Sequence, residues 1–341
     1  MAKKQIITFL GLTFGLTYLL NFLGFKFYGS IDGSPNIKWG DLLALQMLIP
    51  ATCAFVTMMI FKQKFNRITK ILLGIFLFMT LWVLVKLFFD PVLFSQTQAG
   101  ITISITLSTL GLQVVGFLGA VFVIIANIKK NWRGQLEEYK LSFGENKKFY
   151  LITMAILVGT LTLSGFLNYY FNLGSAAIRF DPKLYLFAGV SALVLAPLTN
   201  WAYFLGEEYG WRVFLQDRLL PILGNRKGVL ALGVIWGLWH APIISLGYNY
   251  PGQPVLGVIS MCLFTIFLGI LYSYAVIKTK SVWPAVWLHL ATNNLVGLTY
   301  VYLSQPHDPI FSFGIGLYGL ILLAAVMGGL MFKAKEYRIN K

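Results

Sequence analysis

Three short segments carry side chains capable of acid–base chemistry within long apolar stretches of the chain. An ionisable group at membrane depth is costly, so each such group requires a reason. The segments are Gly206-Glu207-Glu208-Tyr209-Gly210-Trp211-Arg212, Trp236-Gly237-Leu238-Trp239-His240-Ala241-Pro242 and His289-Leu290-Ala291-Thr292-Asn293-Asn294.

The first segment combines two adjacent carboxylates with a guanidinium. On a helix, Glu208 and Arg212 are four residues apart and share a face, so they can pair, whereas Glu207 points about 100° away and stays free. Two adjacent carboxylates in partly apolar surroundings cannot both ionise easily, which is a property of a general base. The alternative is a pair of interfacial charges that end a helix.

The other two segments each contain a histidine inside a predicted span. His240 follows Trp236 by one helical turn, and Pro242 loosens the helix beside it because proline lacks a backbone donor. His289 and Asn293, at i and i+4, place an imidazole and an amide on one helix face. Taken singly, these residues also fit a satisfied core histidine and an interhelical hydrogen bond. The three segments together indicate a chemical site.

Composition shows which elements must position these segments. Of the 341 residues, 57% are hydrophobic and 11% are charged, and the mean hydropathy is +0.74. Soluble domains carry about 25% charged residues, and long apolar runs without a period of two exclude a closed barrel. We therefore predict an all-α, polytopic bundle of about ten transmembrane helices. The predicted spans cover roughly residues 5–25, 41–61, 68–89, 101–127, 149–171, 183–206, 228–246, 254–277, 282–303 and 311–332.

Basic residues concentrate in every second loop, and cytoplasmic loops are enriched in Lys and Arg. The basic loops carry Lys3, Lys4, Lys62, Lys64, Arg67, Lys70, Lys129, Lys130, Arg133, Lys140, Lys147, Lys148, Arg218, Arg226, Lys227, Lys278, Lys280, Lys333, Lys335, Arg338 and Lys341. The intervening loops are poorer in basic residues, and acidic residues partly offset the charge. Their basic residues and histidine are Lys26, Lys38, Arg179, Lys183 and His307, and their acidic residues are Asp32, Asp41, Asp90, Asp181 and Asp308. This alternation predicts a multi-pass protein of the cell membrane with both termini in the cytoplasm. It also accounts for the net charge of +15 without a nucleic-acid partner.

The longest polar stretch, from Asn127 to Lys148, mixes charged with aromatic residues and fits a short amphipathic segment on the inner leaflet. It divides the chain into a predicted domain 1–148, with about four spans and this linker, and a predicted domain 149–341. The chemical residues fall within 184–303 of the second domain. The first apolar run is interpreted as an uncleaved helix, and Cys53 and Cys262 as small core residues.

The order of the motifs resembles that of a known family. Glu207-Glu208-x-x-x-Arg212, an aromatic residue four before His240, and then His289-x-x-x-Asn293 are similar to the motifs of the CAAX-protease and bacteriocin-processing (CPBP, or Abi) membrane peptidases, which include the Rce1 prenyl-protein proteases. The resemblance covers about Leu184 to Leu303. The family usually has Phe where this chain has Trp236, and the chain up to about Tyr150 shows no resemblance.

The resemblance implies an Rce1-like catalytic core and an intramembrane endopeptidase that cuts a peptide bond near the cytoplasmic face. It implies that Glu207 activates a water molecule that His240 helps to position, and that His289 and Asn293 stabilise the oxyanion as donors. The supporting residues would be Glu208, Arg212 and Trp236. No cofactor is expected in this mechanism. If zinc is used instead, its ligands would be Glu207, His240 and His289.

The expected partners are the lipid bilayer and a peptide or lipid-modified protein substrate. The expected processes are CAAX-type processing, or the maturation of a bacteriocin or other peptide, or immunity to it. The alternative is a non-catalytic membrane immunity or scaffold protein that keeps the motif residues as a structural network. A transporter would need a trail of charges through the whole membrane, whereas residues 248–253 carry none.

Overall fold

The computed structural model describes residues 1–31, 37–98, 101–171, 186–187, 189–301 and 308–338. The all-α prediction is confirmed, apart from one hairpin between the third and fourth helices. The helices are α1 (Ala2–Tyr28), α2 (Ile37–Ile60), α3 (Arg67–Phe88), α4 (Leu107–Ile128), α5 (Lys130–Glu137), α6 (Lys148–Tyr170), α7 (Ala196–Glu208), α8 (Gln216–Leu223), α9 (Asn225–Trp239), α10 (Ala241–Ser245), α11 (Pro254–Thr279), α12 (Trp283–Val301) and α13 (Leu317–Lys333). The antiparallel strands are β1 (Val92–Gln98) and β2 (Ile101–Thr106).

Six of the described helices are long and apolar enough to cross a membrane. They are Ala2–Tyr28, Lys38–Ile60, Arg67–Phe88, Leu107–Ile128, Lys148–Asn168 and Pro254–Thr279. The chain is therefore a multi-pass membrane protein, while the number of ten spans stays a prediction.

The predicted fourth span, 101–127, begins too early. Residues 101–106 alternate Ile with Thr or Ser, a period of two that favours a strand, and they pair with β1. The helix begins at Leu107, where the side chain of Thr106 accepts a hydrogen bond from the Thr109 amide.

The predicted sixth and seventh spans also end elsewhere. Residues 183–185 lie outside the described chain, but from Gly189 one helix continues through α7 and α8 to Leu223, so Glu207 lies in mid-helix and not at its cytoplasmic end. The continuation is possible because residues 209–215 are buried in protein rather than exposed to lipid. The α9 helix ends at Trp239 instead of residue 246, and Pro242 lies in the first turn of the new helix α10, where proline is well tolerated.

The loops meet in two layers at opposite ends of the bundle. At one end, which we call the basic face (residues 2–5, 62–67, 129–148, 216–227, 278–283 and 333–338), Arg218 donates to Gln5 at 2.8 Å and Lys278 pairs with Glu336 at 2.7 Å. At the other end, which we call the opposite face (residues 28–31, 86–92, 246–254 and 308–317), the Ser30 hydroxyl donates to the Leu246 carbonyl at 2.8 Å. The helix ends thus meet as the alternation of basic loops predicts.

The N-terminal helix α2 packs directly on the helix that carries the two glutamates. A Cβ atom at Gly206 would lie 2.8 Å from the Cα of Leu48, so only glycine allows this approach. The domain boundary at 148/149 stays a prediction, and the packing shows that helices from both sides of it surround the site.

Candidate active site

Glu207 and Glu208 lie at the end of α7, where the helix widens into a π-helical turn over Tyr209–Leu215. Such turns insert an extra residue into a helix and are frequent at functional sites. Glu207 is 3% exposed, and Glu208 and Arg212 are fully buried. Three charged side chains are therefore held inside the protein, where each requires a partner.

The spacing on the helix predicted that Glu207 stays free, and this prediction is wrong because an indole holds its carboxylate. The Trp236 Nε1 donates to Glu207 Oε2 at 2.8 Å. Phenylalanine, the usual residue of the resembling family at this position, has no donor and cannot make this bond. The other carboxylate oxygen, Oε1, has no hydrogen-bond partner within the described chain, and Glu207 borders a cavity.

Glu208 lies between Arg212 and His289 and contacts both. The predicted pair with Arg212 is confirmed, with Nε of Arg212 3.3 Å from Oε2 of Glu208. Its other oxygen, Oε1, lies 2.8 Å from Nδ1 of His289, on a helix far away in sequence. The guanidinium also lies over the Trp236 ring, 4.7 Å from its centroid. With His289 protonated, the charges of the two carboxylates and the two cations sum to zero.

His240 caps the C-terminal end of α9 and presents one nitrogen to the cavity. Its Nδ1 lies 2.9 Å from the Trp236 carbonyl oxygen, to which it donates, so Nε2 is left as an acceptor in the neutral ring. The ring packs edge-on against Trp239, with centroids 4.7 Å apart. The expected proximity of Trp236 and His240 is confirmed, with ring centroids 6.1 Å apart.

On α12, His289 is 5% exposed, whereas Asn293, one turn further along, is exposed. No other described residue hydrogen-bonds the Asn293 side chain, which borders the cavity. Asn294 instead donates to the carbonyl of Leu290 in its own helix, at 2.9 Å. His307, the third histidine, lies outside the described residues.

One cavity of about 90 Å³ joins these groups. Glu207, Trp236, His240, His289 and Asn293 all line it. The structure therefore brings together the residues that the sequence placed on three separate segments. Their catalytic roles remain a proposal.

Two comparisons with known proteins bear on this site. A family model described as "Type II CAAX prenyl endopeptidase Rce1-like" matches residues 182–295. A curated protein of Methanococcus maripaludis named "CAAX prenyl protease 2" is 26% identical over 208 residues, which cover 59% of this chain and 74% of that protein. Residues 182–295 are an Rce1-like domain of the CPBP family. The resemblance seen in the motifs is thus confirmed, and the chain is a peptidase.

The wall of the cavity extends beyond the Rce1-like domain. The α2 helix, which precedes the matched range, contributes Leu43, Gln46 and Met47. Gln46 accepts a hydrogen bond at its Oε1 from the Asn21 amide at 2.9 Å, and its Nε2 has no partner within the described chain. Sequence reasoning missed Gln46 because it searched the spans for charges. A buried amide in an apolar run is the signal that would have found it.

Zinc was the other use predicted for Glu207, His240 and His289. Within the described ranges, no group of three or more His, Cys, Asp or Glu side chains is arranged to hold a metal ion. The zinc alternative stays a prediction, and the mechanism proposed below is written without a metal.

Proposed function

We propose that this protein is an intramembrane endopeptidase in which Glu207 activates a water molecule for attack on a peptide carbonyl. The observation that carries the proposal is the juxtaposition of Glu207, His240, His289 and Asn293 around one cavity inside an Rce1-like domain. These are the residue types that a hydrolytic site needs, namely a base, a group that orients water and donors for an oxyanion.

In the first step, the water oxygen forms a bond to the carbonyl carbon, and its proton passes to Oε1 of Glu207. The Trp236 indole holds Oε2, so the carboxylate keeps one oxygen for the water. The Nε2 atom of His240 accepts the other hydrogen of the water and thereby orients it, because Nδ1 is already engaged by a backbone carbonyl.

The carbonyl oxygen becomes an oxyanion that accepts hydrogen bonds from Nε2 of His289 and Nδ2 of Asn293. His289 can donate from Nε2 while Nδ1 binds Glu208 when the ring is an imidazolium, a form that the carboxylate stabilises. In the second step the C–N bond breaks, and Glu207 returns its proton to the leaving amine. The products are a carboxylic acid and an amine, and Glu207 is regenerated.

The substrate in this proposal is an extended, membrane-associated peptide segment. The name of the archaeal relative refers to prenylated CAAX proteins, so a test must include prenylated as well as unmodified peptides. Cleavage near the cytoplasmic face, which the motif resemblance implies, stays a prediction of this proposal.

The test is to purify wild type and Glu207→Ala in detergent and to compare cleavage of a quenched peptide library that includes prenylated members. We expect wild type to cleave, Glu207→Ala to lose at least about 100-fold in rate, and a chelator to change neither. Equal melting temperatures would show that the variant is folded. Inhibition by the chelator that zinc reverses would contradict the metal-free mechanism, and equal cleavage by both proteins would contradict the role of Glu207. If a folded wild type cleaves no member, the non-catalytic scaffold alternative gains support.

A further inference from the structure

We propose that a second cavity, near the basic face, binds one acyl chain of an anionic phospholipid whose phosphate contacts Lys130 and Lys147. This second cavity has a volume of about 370 Å³, and its wall is formed by α4, the start of α6, the helix that continues into α7, and α12. None of its described lining residues lines the catalytic cavity. It is therefore a separate site, and its ligand is not the peptide substrate.

The lining of the second cavity offers an occupant no free polar group. Among its described residues, only Tyr150, Trp201, Trp283 and Trp287 carry a polar side-chain atom. Each of the three indoles donates to a backbone carbonyl, at 2.7 to 2.9 Å, and the Tyr150 hydroxyl donates to the carbonyl of Phe143 at 3.2 Å. Water finds no hydrogen-bond partner on such a surface, whereas a hydrocarbon chain gains packing contacts.

The position of the second cavity matches the cytoplasmic leaflet. Phe143 and Trp283 line it and belong to the basic face, which is the predicted cytoplasmic one. Ile124 of α4 and Val194, which also line it, are 42% and 56% exposed. Exposed apolar side chains of membrane-spanning helices face lipid, so a lipid chain can enter the cavity from the bilayer.

Hydrogen bonds tie the end of α4 to the start of α6 beside this cavity. The Phe143 amide donates to Oδ1 of Asn127 at 2.6 Å, and the Phe143 carbonyl accepts from Tyr150. Lys130 follows Asn127 by three residues, and Lys147 precedes Tyr150 by three residues. Two ammonium groups are thus placed at the end of the cavity where the headgroup of a bound lipid would lie.

Both lysines are available to a ligand. Lys130 and Lys147 are exposed, and neither makes an ion pair within the described part of the chain. The neighbouring acidic residue Glu145 instead pairs with Lys280, at 3.0 Å. Basic residues at the cytoplasmic surface attract anionic lipids, so the charge favours an anionic headgroup over a zwitterionic one.

A bound chain would join two parts of the protein. It would contact α4, which precedes the Rce1-like domain, and also α7 and α12, which carry Glu207 and His289. A ligand that binds the folded state and not the unfolded state raises the stability of the protein. The lipid should therefore raise the melting temperature.

The first experiment measures the melting temperature of the purified full chain in detergent micelles that contain palmitoyl-oleoyl phosphatidylglycerol or palmitoyl-oleoyl phosphatidylcholine. The two lipids have the same chains and differ in headgroup charge. We expect phosphatidylglycerol to stabilise the protein at a concentration at least about tenfold lower than phosphatidylcholine. Equal effects of the two lipids would overturn the proposal.

A pair of double variants tests the lysines. Lys130→Gln with Lys147→Gln should need at least about tenfold more phosphatidylglycerol for the same rise in melting temperature. The matched control is Lys62→Gln with Lys64→Gln, which removes two exposed lysines elsewhere on the basic face and should respond as wild type does. The same response from both double variants would overturn the assignment of the phosphate to Lys130 and Lys147.

A second experiment locates the acyl chain in the natural protein, so it does not depend on the folding of any variant. Phosphatidylglycerol with a photoreactive diazirine in one chain is crosslinked in the same micelles, and the labelled peptides are identified by mass spectrometry. We expect label within residues 193–201 and 283–290, and its loss with an excess of unlabelled phosphatidylglycerol. Label confined to other segments, or its displacement by a farnesylated peptide instead, would overturn the proposal. Neither readout depends on catalysis, so failure of this proposal and failure of the peptidase function give different results.

Discussion

Trp236 is the residue that links the segments of the site. Its indole donates to Glu207, its carbonyl accepts from His240, and its ring covers Arg212. From the sequence it was only an aromatic neighbour of His240. The ring also packs edge-on against His289, with centroids 5.4 Å apart, so a single residue contacts groups of all three motif segments.

Trp236→Phe tests this role, because it keeps an aromatic ring and removes the donor. A buried acceptor that loses its partner costs about 1–3 kcal/mol, so we expect a lower melting temperature and slower cleavage. Thermal unfolding and initial rates check this, with Trp283→Phe as the control for the loss of an indole elsewhere. An unchanged stability of Trp236→Phe would show that the bond to Glu207 contributes nothing.

Gln46 is expected to contact substrate through its Nε2, since its Oε1 is occupied by Asn21. Replacement by Leu preserves approximate size and removes the donor. We expect kcat/KM to fall about tenfold, in line with one hydrogen bond of about 1 kcal/mol or slightly more. The melting temperature should fall as well, because the buried Asn21 amide loses an acceptor. Steady-state kinetics on the best library peptide give the result, and kinetics equal to wild type would remove Gln46 from the binding site.

The sequence predicted pairings between side chains of one helix, whereas it could not predict pairings between different helices. The Glu208–Arg212 pair follows from a spacing of four residues. The Glu208–His289 pair joins residues 81 apart in sequence, and no periodicity specifies which helices become neighbours. The same limit explains why Glu207 was expected to be free.

The helices of the site are positioned by a close approach between α2 and the helix that continues from α7. A Cβ at Gly210 would lie 2.7 Å from the carbonyl carbon of Pro50. Backbone in a packed bundle cannot give way as a flexible side chain can, so overpacking here is costly.

Gly210→Ala should therefore destabilise the protein by about 1–3 kcal/mol. The matched control is Gly74→Ala, where nothing lies within 4 Å of the added methyl group and alanine's helix propensity adds stability of up to about 1 kcal/mol. The free energy of unfolding of both variants, measured in detergent, tests this prediction. Equal stabilities would mean that the α2 contact is not a constraint.

At the basic face, Lys278 on α11 pairs with Glu336 beyond α13. Burial alone would raise the pKa of Glu336, but the hydrogen bond and the charge of Lys278 outweigh it, so the pKa lies below its ordinary value of 4.5. Ionised Glu336 thus stabilises the folded protein above pH 4.5, and this contribution is lost as the pH falls through the lowered pKa. Melting temperatures measured from pH 7 to pH 3 should fall more steeply for wild type than for Glu336→Gln. Parallel curves would show that the pair is not coupled to folding.

The ends of the helices were the feature that the sequence predicted least well. Hydropathy marks where an apolar run stops, but the chain continues as a helix from Glu207 to Leu223 because other helices bury residues 209–215 inside the protein. Conversely, the strand at Ile101–Thr106 has an apolar composition that resembles a span, and only its alternation distinguishes it.

In the whole molecule, the distribution of lysine and arginine and the position of the cavity carry separate information. The charge alternation was visible in the sequence, and the opposing loop layers agree with it. The Rce1-like domain supplies the chemical groups, and α2, outside the matched range, completes the cavity wall.

The central claim is that Glu207 is the base that activates water. The most direct measurement is the initial cleavage rate of Glu207→Gln beside wild type, because the amide oxygen can still accept from Trp236 while the group no longer takes a proton. We predict a loss of at least about 100-fold in kcat with a melting temperature near that of wild type. A folded Glu207→Gln protein that cleaves at a rate close to wild type would contradict the account.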